Sequence, residues 1–204
     1  MRRSLFLQDI QSYYDYFDSL WGLNPQTTTV GDITPSYAGL NHDHFAEIKK
    51  NLLIRSFVPK IIFILRDPVE RIISAAKMYS RRSLWSNHSL QEIIQQNYKT
   101  FHFQSRTRYD LTIADLEKVF DEKSLFYGLF EDLFGAEANL SGSISKFLGI
   151  DDILDTQKKY NVSSVSQQLD DDTISQVASF YSEVYRFAQS RFAVKNKWLG
   201  YNYL

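Results

Sequence analysis

Residues 60–81, KIIFILRDPVERIISAAKMYSR, run from an apolar stretch through a sharp turn into a helix. Ile61, Ile62, Phe63, Ile64 and Leu65 form a short continuous apolar run. β-Branched and aromatic residues dominate it, as expected of a parallel strand covered on both faces. Arg66-Asp67-Pro68 ends the run. Pro68 suits the first position of a helix, where its missing N–H would have no partner anyway, and Asp67 suits the cap before it. Val69, Ile72, Ile73, Ala76 and Ser80 then recur at helical spacing as an inner face, and Glu70, Ser74, Lys77 and Arg81 recur on another. A guanidinium therefore stands at the carboxyl end of a strand, with a hydroxyl and further cations on the next helix. That is a good place to hold a phosphate.

Working outward, Asp9–Leu20 and His42–Arg55 read as helices. Between them Thr27–Val30 reads as a short strand leading into Gly31-Asp32-Ile33-Thr34-Pro35-Ser36-Tyr37. Downstream, Ser89–Phe101 has helical periodicity with Ser89 as cap, and Thr112–Phe120 reads as another helix. Ser124–Phe130 is a second apolar run, a predicted strand. Ser141–Leu148 is a short helix stopped by Gly149. Asp151–Gln168 is polar without a sustained period and reads as loop. Asp170–Phe192 reads as one long helix with acidic residues at its start, where the helix dipole favours them. Strand–helix–strand–helix order predicts a parallel sheet with helices on both faces. No repeat or linker divides the chain, so residues 1–204 are expected to form a single domain.

Composition narrows the function. The net charge is -1, which offers no electrostatic case for nucleic acid as a partner. With no cysteine, disulfides, thiolate zinc sites and cysteine nucleophiles are excluded, and a reducing, cytoplasmic setting fits. No apolar run approaches the ~20 residues of a membrane span. The N-terminal MRRSLFLQDIQSYYDYF is too interrupted by polar residues for a signal peptide. His42 and His44 lie two apart, which does not put them on one helical face, so no metal site is expected.

The segment Gly31–Tyr37, GDITPSY, should exit a strand at the same sheet edge as Arg66, where ligands of open α/β sheets bind. Asp32 has two readings: a general base held at a strand end, or a carboxylate that merely satisfies backbone donors in the turn. Spacing alone favours the second. Arg66 with Ser74 is either a phosphate clamp or a structural arginine beside an ordinary helix serine, and physics alone leaves the two even.

GDITPSY followed by IIFILRDPVERIISA resembles the sulfotransferases that use 3′-phosphoadenosine 5′-phosphosulfate (PAPS), above all their heparan-sulfate-type and bacterial carbohydrate-type branch. There the first segment commonly reads Gly-Glu-x-(Thr/Ser)-Pro-x-Tyr and the second Arg-Asp-Pro-x-x-Arg-x-x-Ser. The likeness continues more weakly through Tyr109, FYGLFEDL and SKFLGI, and spans about Tyr13 to Asn161. It implies an α/β, three-layer P-loop-like fold with a parallel sheet flanked by helices. It implies that Arg66 and Ser74 bind the 3′-phosphate of the donor and that Asp32 is the catalytic base. It also implies a sulfuryl transfer from PAPS to a hydroxyl or amine, with a carbohydrate as candidate acceptor, no metal and no membrane, in a soluble, bacterial protein.

The chain departs from that pattern in three ways. Asp32 is one methylene shorter than the usual glutamate. Ile33 stands where heparan-type members often carry lysine. The Lys-x-Gly-Thr-Thr loop that cradles the 5′-phosphosulfate, and the strand before it, have no counterpart in the sequence. Ile61–Leu65 is therefore expected to lack one hydrogen-bonding neighbour, which Arg3–Leu7 could replace only in part. A start chosen too late, with the true beginning upstream, is the simpler expectation, and a degenerate member with a rearranged sheet is the other. Poor sulfate transfer or none by the chain as it stands is expected, even with nucleotide bound, because the donors that stabilise the leaving group would sit in that loop. Two further readings stay open: a catalytically inactive nucleotide-binding or interaction protein, and, less supported, a kinase-like phosphotransferase.

Overall fold

A computed structural model describes residues 9–81, 85, 87–133, 140–151, 169–192 and 194–204. Two strands, β1 (Ile61–Leu65) and β2 (Leu125–Leu129), form a parallel pair, with Ile61 opposite Leu125 and Leu65 opposite Leu129. The rest is mainly helical: α1 (Ile10–Gly22), α2 (His42–Ile54), α3 (Pro68–Ser80), α4 (Leu90–Asn97), α5 (Phe101–Gln104), α6 (Tyr109–Val119), α7 (Leu140–Leu148), α8 (Asp171–Phe180) and α9 (Ser182–Phe192). The two parallel strands and the helices around them are as the apolar runs predict. Among the described residues the sheet has no third strand.

Side-chain alternation divides the sheet. Ile61, Phe63, Leu125 and Tyr127 pack on Phe45 of α2 and on Leu116 and Phe120 at α6. The opposite face meets α7, where the Phe126 and Phe147 rings lie 5.4 Å apart. Coverage is complete only at the carboxyl ends of the strands: Leu65 and Leu129 are buried, whereas Ile62 is 36% exposed. The expectation of a strand buried along its whole length therefore holds for its carboxyl end alone. The main core lies beyond that end, where α3, α4, α8 and α9 surround Ile72, Ile93, Val177 and Tyr181.

Three local readings change. Thr27–Val30 forms no strand, because among the described residues no strand lies beside it to supply ladder partners. The stretch read as one helix over 170–192 is two, broken at Tyr181, whose backbone (φ -96°, ψ 18°) leaves the helical region. The break lets the Tyr181 hydroxyl donate to the Tyr98 carbonyl at 2.6 Å inside the core. The helix read over 89–101 ends at Asn97, and α5 starts separately. Predicted caps hold at Asp67 and at Ser89, the latter in a reciprocal pair with Glu92, and Asp9, read as the first helical residue, caps α1 instead. Gly149 ends α7 with φ 73°, a conformation that suits glycine. Arg3–Leu7 and most of the loop at 151–168, Lys158 and Lys159 included, lie outside the described residues.

Candidate functional site

The turn after β1 is built around Asp67, which is only 1% exposed. One carboxylate oxygen, Oδ1, accepts from the amides of Val69 (2.8 Å) and Glu70 (3.4 Å) and from the Tyr185 hydroxyl (2.7 Å). The other, Oδ2, accepts from the Gly200 amide at 2.7 Å. These donors, at the positive end of α3, stabilise a buried carboxylate that has no cation in ion-pair range among the described residues. The first amides of α3 are thereby taken, so an anion would meet side chains here rather than a bare helix end.

The turn is tied down from behind as well. The Asp67 amide donates to Glu131 Oε1 at 3.2 Å, and Trp198 Nε1 donates to Glu131 Oε2 at 3.1 Å. Burial pushes the Glu131 carboxyl up, partly offset by the donors that hold it. Lys197 pairs with Asp132 at 2.6 Å. A Cβ at Gly200 would lie 1.8 Å from the Tyr185 hydroxyl oxygen, so any larger residue there would have to displace that ring. Sequence reading missed Tyr185, Glu131, Trp198 and Gly200 as a set. Their only local signal is one glycine between aromatics in WLGYNYL.

Arg66 leaves this turn part-exposed. Its guanidinium stacks on the Phe130 ring at 4.5 Å and donates to Glu70 Oε2 at 3.0 Å. Its own amide is hydrogen-bonded to the buried Tyr109 hydroxyl. Ser74 is exposed and lies one helical turn beyond Glu70, on the same face. The two residues read as a clamp thus border one open surface, with Glu70 between them.

Asp32 is the hub of a second cluster. Its Oδ2 accepts from the hydroxyls of Tyr13 (2.8 Å) and Tyr37 (2.5 Å), and its Oδ1 accepts from Thr34 at 2.8 Å. The two tyrosine oxygens are 2.8 Å apart. Burial and the adjoining carboxylate push Tyr37 up to about 12 and Tyr13 higher still. Beside the cluster Ile33 is 96% exposed.

The two segments meet through the start of α6. Arg106 donates to Ser36 at 2.7 Å and Thr112 donates to the Ala38 carbonyl at 2.8 Å, while Tyr109 reaches the Arg66 amide. GDITPSY and the Arg66 turn therefore sit on either side of one helical turn. His42 faces Asp43 and Asp115 at 3.4 and 3.5 Å, His102 is exposed, and no metal-binding group of side chains occurs among the described residues. No helix among them is long and apolar enough to cross a membrane.

No family model matches the sequence, and no curated protein matches it. One solved structure, described as a crystal structure of a sulfotransferase from Alicyclobacillus acidocaldarius, is similar at 21% identity and a TM-score of 0.47. The match covers 64% of this chain and 53% of that one, so the chain spans about half of its length.

Proposed function

We propose that the chain binds a 3′-phosphonucleotide at Arg66 and Ser74 and transfers a sulfuryl group from PAPS to a hydroxyl or amine acceptor, with Asp32 as base. The observation that supports it most is the Arg66 guanidinium, part-exposed at the carboxyl end of β1 and held by Phe130 and Glu70, with Ser74 one helical turn beyond Glu70. Phe130 fixes the plane of the guanidinium, and Glu70 holds it until a phosphate, with more charge and more acceptors, competes for the same N–H groups. Ser74 would add a neutral donor.

In the transfer, the acceptor oxygen or nitrogen attacks sulfur in line. The bond from sulfur to the bridging oxygen breaks, the leaving bisphosphate keeps the electron pair, and the acceptor proton passes to Asp32. Positioning and charge stabilisation do most of the work in such displacements. A glycan is the acceptor class suggested by the resemblance of GDITPSY and RDPVERIIS.

A second reading has its own support. Asp32 already accepts from three hydroxyls, so a carboxylate that fixes its turn accounts for that geometry, and an acceptor would have to replace one donor. This favours an inactive nucleotide-binding protein. Labelled-sulfate transfer from PAPS to a panel of glycans, run beside nucleotide binding, separates the two. The expected result is weak transfer that Asp32→Asn abolishes with nucleotide binding kept. Equal transfer by both proteins would remove Asp32 as the base, and nucleotide binding without any transfer would favour the second reading.

A further inference from the structure

The two strands stay in step as they end. Leu65 lies opposite Leu129, so Arg66 and Asp67 leave β1 beside Phe130 and Glu131 leaving β2. The two pairs of residues meet twice. The Arg66 guanidinium stacks on the Phe130 ring at 4.5 Å. The Asp67 amide, which belongs to the peptide joining Arg66 to Asp67, donates to Glu131 Oε1 at 3.2 Å. The other carboxylate oxygen, Oε2, accepts from Trp198 Nε1 at 3.1 Å. Trp198 is buried against the rings of Tyr109 and Tyr185, so this end of the carboxylate is anchored in the core. A chain of contacts thus runs from the core through Glu131 to the peptide that carries the guanidinium. The cap of α3 is built without it, because the Asp67 side chain accepts from Val69, Glu70, Tyr185 and Gly200. What Glu131 adds is the orientation of one peptide plane.

We infer that Glu131 is a positioning residue for Arg66: it fixes the peptide plane from which the guanidinium projects, and so sets the preference for a 3′-phosphorylated nucleotide. The ligand named here rests on the proposed function. Glu131 touches no ligand in this role. Its negative charge would repel a phosphate nearby unless donors screened it, and both of its oxygens face donors. Bonds from an amide and an indole to a carboxylate are charge-assisted, and hold more firmly than neutral ones. Glutamine cannot take its place. A carboxamide has one acceptor oxygen and one NH2, so it must turn a donor toward either the Asp67 amide or the Trp198 indole.

The test compares native and Glu131→Gln protein by two readouts. One is the NMR signal of Arg66 Nε–H in 15N-labelled protein, identified by its loss in Arg66→Ala. The other is calorimetry with 3′-phosphoadenosine 5′-phosphate and adenosine 5′-phosphate. Expected are a displaced or broadened Arg66 signal and a preference for the 3′-phosphorylated nucleotide about tenfold smaller than in native protein, with adenosine 5′-phosphate bound as before. Glu131→Asp keeps the charge but is one methylene short of spanning both donors. It is the second variant should the first misfold, with the same result expected. A residue that only supported the fold would weaken both nucleotides alike. An unmoved Arg66 signal overturns the inference, and so does an unchanged preference where native protein discriminates between the two nucleotides. If native protein binds both alike, or neither, the donor reading fails, and the Arg66 signal alone decides whether Glu131 positions that side chain.

Discussion

Arg71 and Arg66 show how differently one side chain can be used. Arg66 is part-exposed and paired, so its contribution to stability is small. Arg71 is more deeply placed and has no acid within ion-pair range among the described residues, so the cost of its desolvation is offset only by one hydrogen bond and a ring contact with Phe103. Replacing it by an apolar side chain of similar length should remove that cost and keep the contact with Phe103. Arg71→Met is therefore expected to melt at the same temperature as the native protein or above it. A fall of more than about 3 °C, roughly 1 kcal/mol for a chain of this size, would show that Arg71 stabilises the fold. Asp67 is the opposite case. It is almost inaccessible, yet four donors satisfy it.

The turn between β1 and α3 is where local and distant sequence meet. Its local half is legible: an apolar run, then Asp67 as cap and Pro68 at the first helical position, chemistry settled within a few residues. The bounds of β1 are legible for the same reason, and those of β2 to within one residue at each end. The distant half is not, because Tyr185 and Gly200 reach Asp67 from 118 and 133 positions away and leave no periodic trace. The break at Tyr181 escapes for a related reason: helical spacing continues through it, and the core alone bends the chain there. Thr27–Val30 fails as a strand because β-propensity needs a neighbouring strand to act. Of the candidate site, Asp32, Arg66 and Ser74 could be named from the sequence, but the tyrosine pair on Asp32 and the start of α6 that joins the two segments could not. Gly200→Ala tests the distant half. A Cβ 1.8 Å from the Tyr185 hydroxyl must push that ring off Asp67. The expected loss is about 1–3 kcal/mol by chemical denaturation, with weakened nucleotide binding as the Arg66 turn loosens. Unchanged stability would mean that the C-terminal segment does not clamp the turn.

The whole molecule is a small parallel pair of strands held in a mainly helical, tyrosine-rich body, and that composition sets its response to alkali. Burial raises Tyr37 and Tyr181 to about 12 and moves Tyr13, Tyr109, Tyr127 and Tyr185 further in the same direction. Unfolded tyrosine ionises near pH 10. Groups whose folded values are raised contribute stability that is complete below that pH and lost as pH climbs through the folded values. The urea midpoint should therefore be lower at pH 11.5 than at pH 9, beyond any loss in Tyr13→Phe/Tyr37→Phe protein, which lacks two of these groups. A flat profile would contradict the buried hydroxyls. The central claim, a 3′-phosphate held by Arg66, is tested most directly by calorimetry with 3′-phosphoadenosine 5′-phosphate and adenosine 5′-phosphate on native and Arg66→Ala protein. A charged phosphate contact is worth about 1.5–3 kcal/mol, so the native protein should prefer the 3′-phosphorylated nucleotide by about ten- to a hundredfold, and Arg66→Ala should bind the two alike. Equal affinities in the native protein would contradict a 3′-phosphate site at Arg66.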